Sequence, residues 1–397
     1  MKTLLITAIY YFPDSPGGSG RLSYELAHEF ARQGNRVYML VADVASVGRE
    51  KQKDGEVTVI RYKNRTPKII GFMKPWLHIR RAKRALRKYV PKDVQIIHGH
   101  DPMTYIGAMR YFKGHETRRV YTAHSPAISE LNIVWRGSSK LGWLKCTLGL
   151  PLVKHFEKEC LEESDLITAE SSFTINELKK IYGARLLDNY RVIPGWVDIE
   201  RFNPYLDKAE ARKHLGWPTD KPLLFCLRRL VARMGIDNLL TATSIARMEG
   251  FDFCLMIGGE GELREAFEEQ IKRLGLEGSV FLMGRVSEED LPLAYTACDA
   301  SIVPTRSLEG FGIIVLESLA CGRPVLATPV GALPELLNYF EPEWIADSND
   351  AEGIAKLISR YFRGELPEHD PVELHAKVAL RYSLPEAYKE FAKALLS

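Results

Sequence analysis

Six cysteines, Cys146, Cys160, Cys226, Cys254, Cys298 and Cys321, are scattered along 397 residues, and no two form a Cys-x-x-Cys pair. That spacing argues against a disulfide framework or a zinc site and for buried free thiols in a reducing compartment. Charge of one sign is also lacking. There are 54 Lys and Arg against 51 Asp and Glu, a formal net charge of +3, too small to imply a nucleic acid partner. No uninterrupted apolar run reaches the length of a membrane span. Met1 to Phe12 carries Lys2 and then apolar residues, but Pro13-Asp14 and glycines follow at once without a convincing small-residue cleavage site. We read a first β-strand feeding a glycine-rich loop rather than a secretory leader. The Gly-x-Gly-x-x-Gly spacing is absent, because the glycines fall at Gly17, Gly18 and Gly20. Asp43 is a weak candidate for an acidic residue ending the second strand, so NAD binding is a poor reading. His98-Gly-His100-Asp101 resembles a metal cluster at first sight, and alternation puts His98 and His100 on one strand face. With no Asp-x-Asp and no distant Cys or His set to complete a shell, a structural or acceptor-side role is expected there and no metal. There is no internal repeat and no low-complexity tract.

What is present is strand–helix alternation. Thr3–Ile9, Arg36–Val41, Gln95–His98, Val120–Ala123, Leu166–Ala169 and Arg191–Ile193 read as strands, with amphipathic helical stretches between most of them. The pattern restarts after about Pro222 with Leu223–Leu227, Phe253–Ile257, Val280–Met283, Ser301–Val303 and Pro324–Ala327. Hydrophobic content of 46% and charged content of 26% are those of an ordinary globular protein, and this length suits two domains. The expected fold class is α/β: two doubly wound, Rossmann-like domains facing across a cleft, with ligands beyond the carboxyl ends of strands. Pro194 to Pro222, rich in Pro, Gly and charge, reads as the linker plus a first helix.

The most informative stretch is Glu309-Gly-Phe-Gly-Ile-Ile-Val-Leu-Glu317, which sets two carboxylates eight residues apart around a tight turn. It follows the strand Ala300-Ser-Ile-Val-Pro304 and opens a helix expected to run to about Ala320. Gly310 and Gly312 permit close approach of backbone to a ligand, and the N–H groups of a helix start can hold a phosphate. A carboxylate on each side of such an anion site suits a nucleotide sugar, one taking sugar hydroxyls and the other ribose hydroxyls. An ordinary strand–turn–helix with two solvated glutamates has the same spacing.

With Cys321-Gly-Arg-Pro-Val325, this stretch resembles the donor-site signature of family 4 of the retaining glycosyltransferases. The resemblance spans nearly the whole chain. Pro13-Asp-Ser-Pro-Gly-Gly18 precedes a helix ending at Gly34; Arg191-Val-Ile-Pro-Gly-Trp-Val-Asp198 with Phe202 resembles the interdomain segment; Arg229-Leu230 and Gly235, Gly258-Gly-Glu-Gly261 and Gly284-Arg-Val-Ser-Glu288 follow in the expected order. The resemblance implies a GT-B architecture: residues 1–198 as the acceptor domain, 199–382 as the nucleotide-sugar domain, and 383–397 as a terminal helix packing back on the first. It implies a retaining, metal-independent hexosyltransferase without a cofactor, moving sugar from a nucleoside-diphosphate sugar to the hydroxyl of a glycan, lipid or small-molecule acceptor. His124, Arg229 and Glu309 are the implied catalytic residues. Donor contacts fall to Gly17, Gly18, Arg229, Arg233, Gly259, Val286, Glu309, Gly310, Phe311, Gly312, Ile313 and Glu317, with Glu260 near the base. Arg229 would neutralise the leaving diphosphate.

One departure stands out. The lysine that normally accompanies the arginine is Met234 here, in Arg229-Leu-Val-Ala-Arg-Met-Gly235. Arg233 and Arg228 are the neighbouring cations that would have to substitute. Met234 keeps a catalytically impaired sugar-nucleotide-binding protein in view, beside a same-fold epimerase or phosphorylase-like enzyme. Lys68 to Lys92 is basic, with Lys68, Lys74, Arg80, Arg81, Lys83, Arg84, Arg87, Lys88 and Lys92 interleaved with Phe72, Met73, Trp76, Leu77, Ile79, Ala82, Leu86 and Tyr89. It suits an amphipathic helix on an anionic membrane surface or, equally, a helix whose apolar stripe packs on the sheet. The expected location is cytoplasmic, with peripheral contact at the inner membrane face open.

Overall fold

The structure, a computed structural model, describes residues 1–15, 17–64, 74–137 and 142–396. Pro16 of the glycine loop and Lys68, Phe72 and Met73 of the basic segment lie outside the described residues. The chain forms two compact units: Met1–Gly195 together with Leu384–Ser397, and Trp196–Ser383. Sequence reading set its divisions at residues 198/199 and 382/383.

The first unit is built on eight strands: β1 Thr3–Ala8, β2 Arg36–Asp43, β3 Lys51–Asp54, β4 Val57–Lys63, β5 Ile96–Gly99, β6 Arg118–Ala123, β7 Leu166–Ala169 and β8 Tyr190–Val192. Their order is β3-β4-β2-β1-β5-β6-β7-β8, and every pairing is parallel except β3 with β4. A parallel sheet is covered on both faces, so its strands read as continuous apolar runs. All six residues of β1 are buried accordingly. The β3–β4 hairpin was not expected, since Lys51-Gln-Lys-Asp54 has no apolar side and lies at the sheet edge. Its signal was the Asp54-Gly55 pair, with Gly55 at φ 53° in the turn.

The helix Lys74–Tyr89 decides between the two readings of its apolar stripe. Ile79, Ala82 and Leu86 are buried in the first unit's core, and the backbone of Gly107, in the helix Pro102–Tyr111, lies against Ala82. The stripe therefore faces inward, while Arg80, Lys83, Arg84, Arg87 and Lys88 are exposed and Trp76 is 43% exposed. The helix Leu384–Leu395 belongs to this unit and packs on Gly18–Arg32 through the rings of Phe30 and Tyr388, 5.0 Å apart. Lys2 Nζ donates to the Leu396 carbonyl at 2.7 Å.

The second unit has five parallel strands: β9 Leu223–Leu227, β10 Cys254–Gly258, β11 Val280–Gly284, β12 Ala300–Val303 and β13 Val325–Ala327. Their order is β11-β10-β9-β12-β13. The chain steps outward from β9 in one direction and then returns to its other side. The reversal of strand order lies between β9 and β12, and ligands of such sheets bind beyond the carboxyl ends at this point. The loops leaving those two ends are Arg228 onward and Pro304 to Gly312.

Candidate functional site

In the second unit, the reversal point brings together residues far apart in sequence. Arg228, directly after β9, is 8% exposed and its Nη2 donates to Glu309 Oε2 at 2.7 Å and to Thr305 Oγ1 at 2.8 Å. The Thr305 hydroxyl donates to the same Glu309 oxygen at 3.1 Å. Glu309 is thus held through one carboxylate oxygen. Two glycines make room for this arrangement. A Cβ on Gly331 would lie 2.2 Å from the Glu309 carbonyl, and one on Gly259 2.0 Å from the Arg228 carbonyl; both have positive φ, 66° and 131°. Gly259 therefore supports the loop at Arg228 directly. Val286 is half-buried and packs against Gly258, and Glu260 is exposed.

The helix Ile313–Ala320 begins at Gly312 (φ 96°), and no side chain caps its start. Its ends agree with the sequence reading. Gly310 and Ile313 are half-buried beside this start, and Phe311 is buried. An uncapped start leaves backbone N–H groups available to an anion. Glu317 lies in the second turn, is 5% exposed, and accepts the Tyr295 hydroxyl at 2.9 Å. It is buried against Tyr295 rather than standing in solvent.

The cations around this loop differ sharply. Arg229 is exposed and has no ion-pair partner among the described residues. Arg233 Nη1 donates to the Leu308 carbonyl at 2.9 Å. Leu308 itself has φ 58°, a strained value for a branched residue, immediately before Glu309. Met234 ends a short 3-10 helix, Ala232–Met234, and is 5% exposed within the apolar core of the unit. Of the two cations that could stand in for the missing lysine, Arg228 is paired with Glu309. Arg228, Thr305, Tyr295 and Leu308 were not singled out by sequence reading as parts of this arrangement. No local signal marks them, because each acts through a partner brought close by strand order.

In the first unit, Gly17 (φ 142°) precedes the helix Gly18–Arg32, whose start also lacks a side-chain cap, and Gly17 and Gly18 are exposed. His124 follows β6. Its Nδ1 lies 2.6 Å from Glu170 Oε1 and its Nε2 3.0 Å from His100 Nδ1. His98 Nε2 bonds Thr122 Oγ1 at 2.7 Å, and the His98 and His100 rings are 4.3 Å apart. Asp101 is engaged as the N-cap of the helix Pro102–Tyr111, accepting from the Met103 and Thr104 amides. Burial pushes its carboxyl above the usual carboxylate range, against the opposing effect of those hydrogen bonds. Among the described residues, no group of three or more His, Cys, Asp or Glu could hold a metal ion.

Burial holds His98 down at about 3 and His100 well below the ordinary value. Between about 6.5 and His98's value, the unfolded chain binds protons that the folded chain refuses. Stability is therefore full above about 6.5 and falls as pH is lowered through that window, by up to about 1.4 kcal/mol per pH unit for each histidine. The urea midpoint should be lower at pH 5 than at pH 7.5, and His98→Asn should reduce that difference. Equal differences in both proteins would contradict the assignment.

Comparison with known proteins adds the family. Residues 207–377 match the glycosyl transferases group 1, and residues 16–201 match glycosyltransferase family 4. The chain is 31% identical over 206 residues to the GDP-mannose-dependent monoacylated alpha-(1-6)-phosphatidylinositol monomannoside mannosyltransferase of Corynebacterium glutamicum, covering 49% of this chain and 52% of that protein. It is 30% identical over 290 residues to the D-inositol 3-phosphate glycosyltransferase of Segniliparus rotundus, covering 64% and 62%. The matched region spans about half the length of most curated relatives. The fold aligns with sucrose-phosphate synthase from Thermosynechococcus elongatus at a TM-score of 0.80 and 20% identity, covering 99% of this chain and 98% of that one. It aligns with HepE from Anabaena, solved in complex with UDP, at 0.73 and 16%, covering 99% of each chain. Two family matches in chain order, one on each half, rest on a shared fold of two Rossmann-like sheets, and the chain belongs to the group 1, family 4 glycosyltransferases of the GT-B fold.

Proposed function

We propose that this protein is a retaining, metal-independent glycosyltransferase that moves a sugar from a nucleoside-diphosphate sugar to an acceptor hydroxyl. The observation that carries the reading is the second unit's reversal point: Glu309 held by Arg228 and Thr305, beside an uncapped helix start and the exposed Arg229. Arg229 and the N–H groups after Gly312 receive the diphosphate and stabilise its charge as the sugar leaves. Glu309 takes a sugar hydroxyl and Glu317 the ribose. His124 and the acceptor are assigned to the first unit. Transfer on the same face of the sugar follows from the family resemblance.

The relatives' names make GDP-mannose the first donor to test and an inositol-containing lipid or phosphate the first acceptor. Turnover of GDP-mannose or UDP-glucose with such an acceptor should give a product with the donor's anomeric configuration, at a rate unchanged by EDTA. Inversion, or loss in EDTA that Mg²⁺ restores, overturns the mechanism. Free sugar or an epimer formed without acceptor favours the epimerase or phosphorylase-like reading. Nucleotide binding without turnover across acceptors favours the impaired binding protein that Met234 brought into view.

A peripheral membrane contact is a second part of the reading, supported by the exposed cations of the helix Lys74–Tyr89 and by Trp76. No helix among the described residues is long and apolar enough to cross a membrane. Since the apolar stripe is buried, adhesion rests on charge and should be screened by salt, with a Debye length of about 8 Å at physiological ionic strength. The protein should pellet with phosphatidylserine vesicles at low salt and be released as salt rises. Unchanged pelleting after Arg80, Arg84 and Arg87 are replaced by Glu would refute it.

A further inference from the structure

Three adjacent strands of the first unit deliver three polar side chains to one place. Gly99 of β5 pairs with Tyr121 of β6, and Ala123 at the end of β6 pairs with Ala169 at the end of β7. His100, His124 and Glu170 follow these strands directly, so all three leave the sheet at neighbouring carboxyl ends. Glu170 and His100 are each 8% exposed, and the His100 and His124 rings stack at 5.2 Å and 23°. Neither His100 nor Glu170 figured in the expected donor site.

The hydrogen bonds define one chain of donors. A carboxylate has no proton to give, so His124 Nδ1 must donate to Glu170. In a neutral ring, His124 Nε2 is then an acceptor, and His100 Nδ1–H donates to it. That leaves His100 Nε2 as a bare lone pair, and this atom is indeed buried without a partner. The alternative, a proton on both His124 nitrogens, would turn His100 round and bury an N–H at Nε2 with nothing to accept it. Orphaned buried N–H groups are rarer than under-satisfied acceptors, so the first arrangement is favoured. Burial also holds His100 well below the ordinary histidine value, in keeping with a neutral ring.

We propose that Glu170 is a positioning residue for glycosyl transfer: it fixes His124 as the Nδ1–H tautomer, so that Nε2 accepts a hydrogen bond and never donates one. A substrate hydroxyl meeting His124 must therefore donate to Nε2, displacing the His100 N–H. This rests on the reading of His124 as a substrate-facing residue, and the test separates the two claims.

The tautomer is read by NMR of protein carrying ¹⁵N-labelled histidine, with His124→Asn to assign the signals. In wild type, His124 should show a protonated Nδ1 and an unprotonated Nε2. Glu170→Gln keeps a carbonyl oxygen to accept from Nδ1 and should keep that pattern, whereas Glu170→Ala should shift it toward Nε2–H. The kcat for GDP-mannose or UDP-glucose should fall roughly 10–100-fold in Glu170→Ala, the range known for partners that orient metal-bound histidines, with donor KM little changed and most of the loss restored in Glu170→Gln. An Nε2–H tautomer in wild type, or an unchanged tautomer in Glu170→Ala, overturns the proposal whatever the activity. A shifted tautomer with unchanged kcat overturns the positioning role and, with it, His124 as a participant. Should neither donor be turned over by wild type, the function reading fails while the tautomer result still decides whether Glu170 sets the ring.

Discussion

Arg228→Met is expected to cost about 3–5 kcal/mol of stability, the usual result of leaving one member of a buried ion pair unpaired. The side chains of Arg228 and Glu309 are only 7% and 13% exposed, so solvent can do little to replace the lost partner. In a unit the size of Trp196–Ser383 this corresponds to a fall in Tm of roughly 6–20 °C. Replacing both residues, Arg228→Met with Glu309→Gln, removes the charge and its partner together and should recover most of the loss. Turnover should remain low in the double variant, because the proposed function gives Glu309 the contact to the sugar. Thermal unfolding of the four proteins completes a double-mutant cycle, with a coupling energy of on the order of 1–3 kcal/mol expected for residues in contact. Additive effects would mean that the two side chains do not act as a pair. Strong binding losses in Arg228→Met alone, with Glu309 variants normal, would instead make Arg228 the phosphate cation.

Arg229→Ala is expected to raise the Kd for GDP or UDP by roughly 10–150-fold, equivalent to losing a charge-assisted contact of about 1.5–3 kcal/mol. The size of the effect follows from the other cations near the loop. Arg228 is tied to Glu309, Arg233 to the Leu308 carbonyl, and Met234 is packed in the core. On the proposed reading Arg229, exposed after β9, meets the diphosphate together with the helix start at Gly312, so its loss should be felt directly. Calorimetry should also separate the two glutamates. Glu309→Gln should leave the nucleoside diphosphate Kd nearly unchanged while lowering turnover, since the sugar is absent from that ligand. Glu317→Gln should weaken nucleotide binding itself; glutamine keeps a partner for Tyr295, which alanine would not. Wild-type affinity in Arg229→Ala would move the diphosphate away from this loop, and equal losses in the two glutamate variants would end the division of roles.

The amino-acid sequence by itself determined the architecture and the strand–turn–helix at the candidate site. Parallel strands are buried on both faces, so Leu166–Ala169 and Leu223–Leu227 stand out as apolar runs and coincide with the observed strands. The Glu309 to Glu317 signature is equally local: strand, turn and helix start follow within twenty residues, and the helix ends at Ala320 as its pattern requires. Where a polar edge strand lacks that apolar signature, as in Lys51–Asp54, local reading failed. Tertiary structure alone decided which side chains meet. Arg228 and Glu309 are 81 positions apart, and His124 and Glu170 are 46 apart. Their meeting depends on β9 lying beside β12 and on β6 lying beside β7, and strand order leaves no trace in the spacing of residues. The same order made Arg228, one of two cations near the missing lysine, the partner of Glu309. Packing against the second unit's core likewise made Met234 a buried apolar side chain, because a residue's neighbours in space, not in sequence, set whether it faces ligand or core.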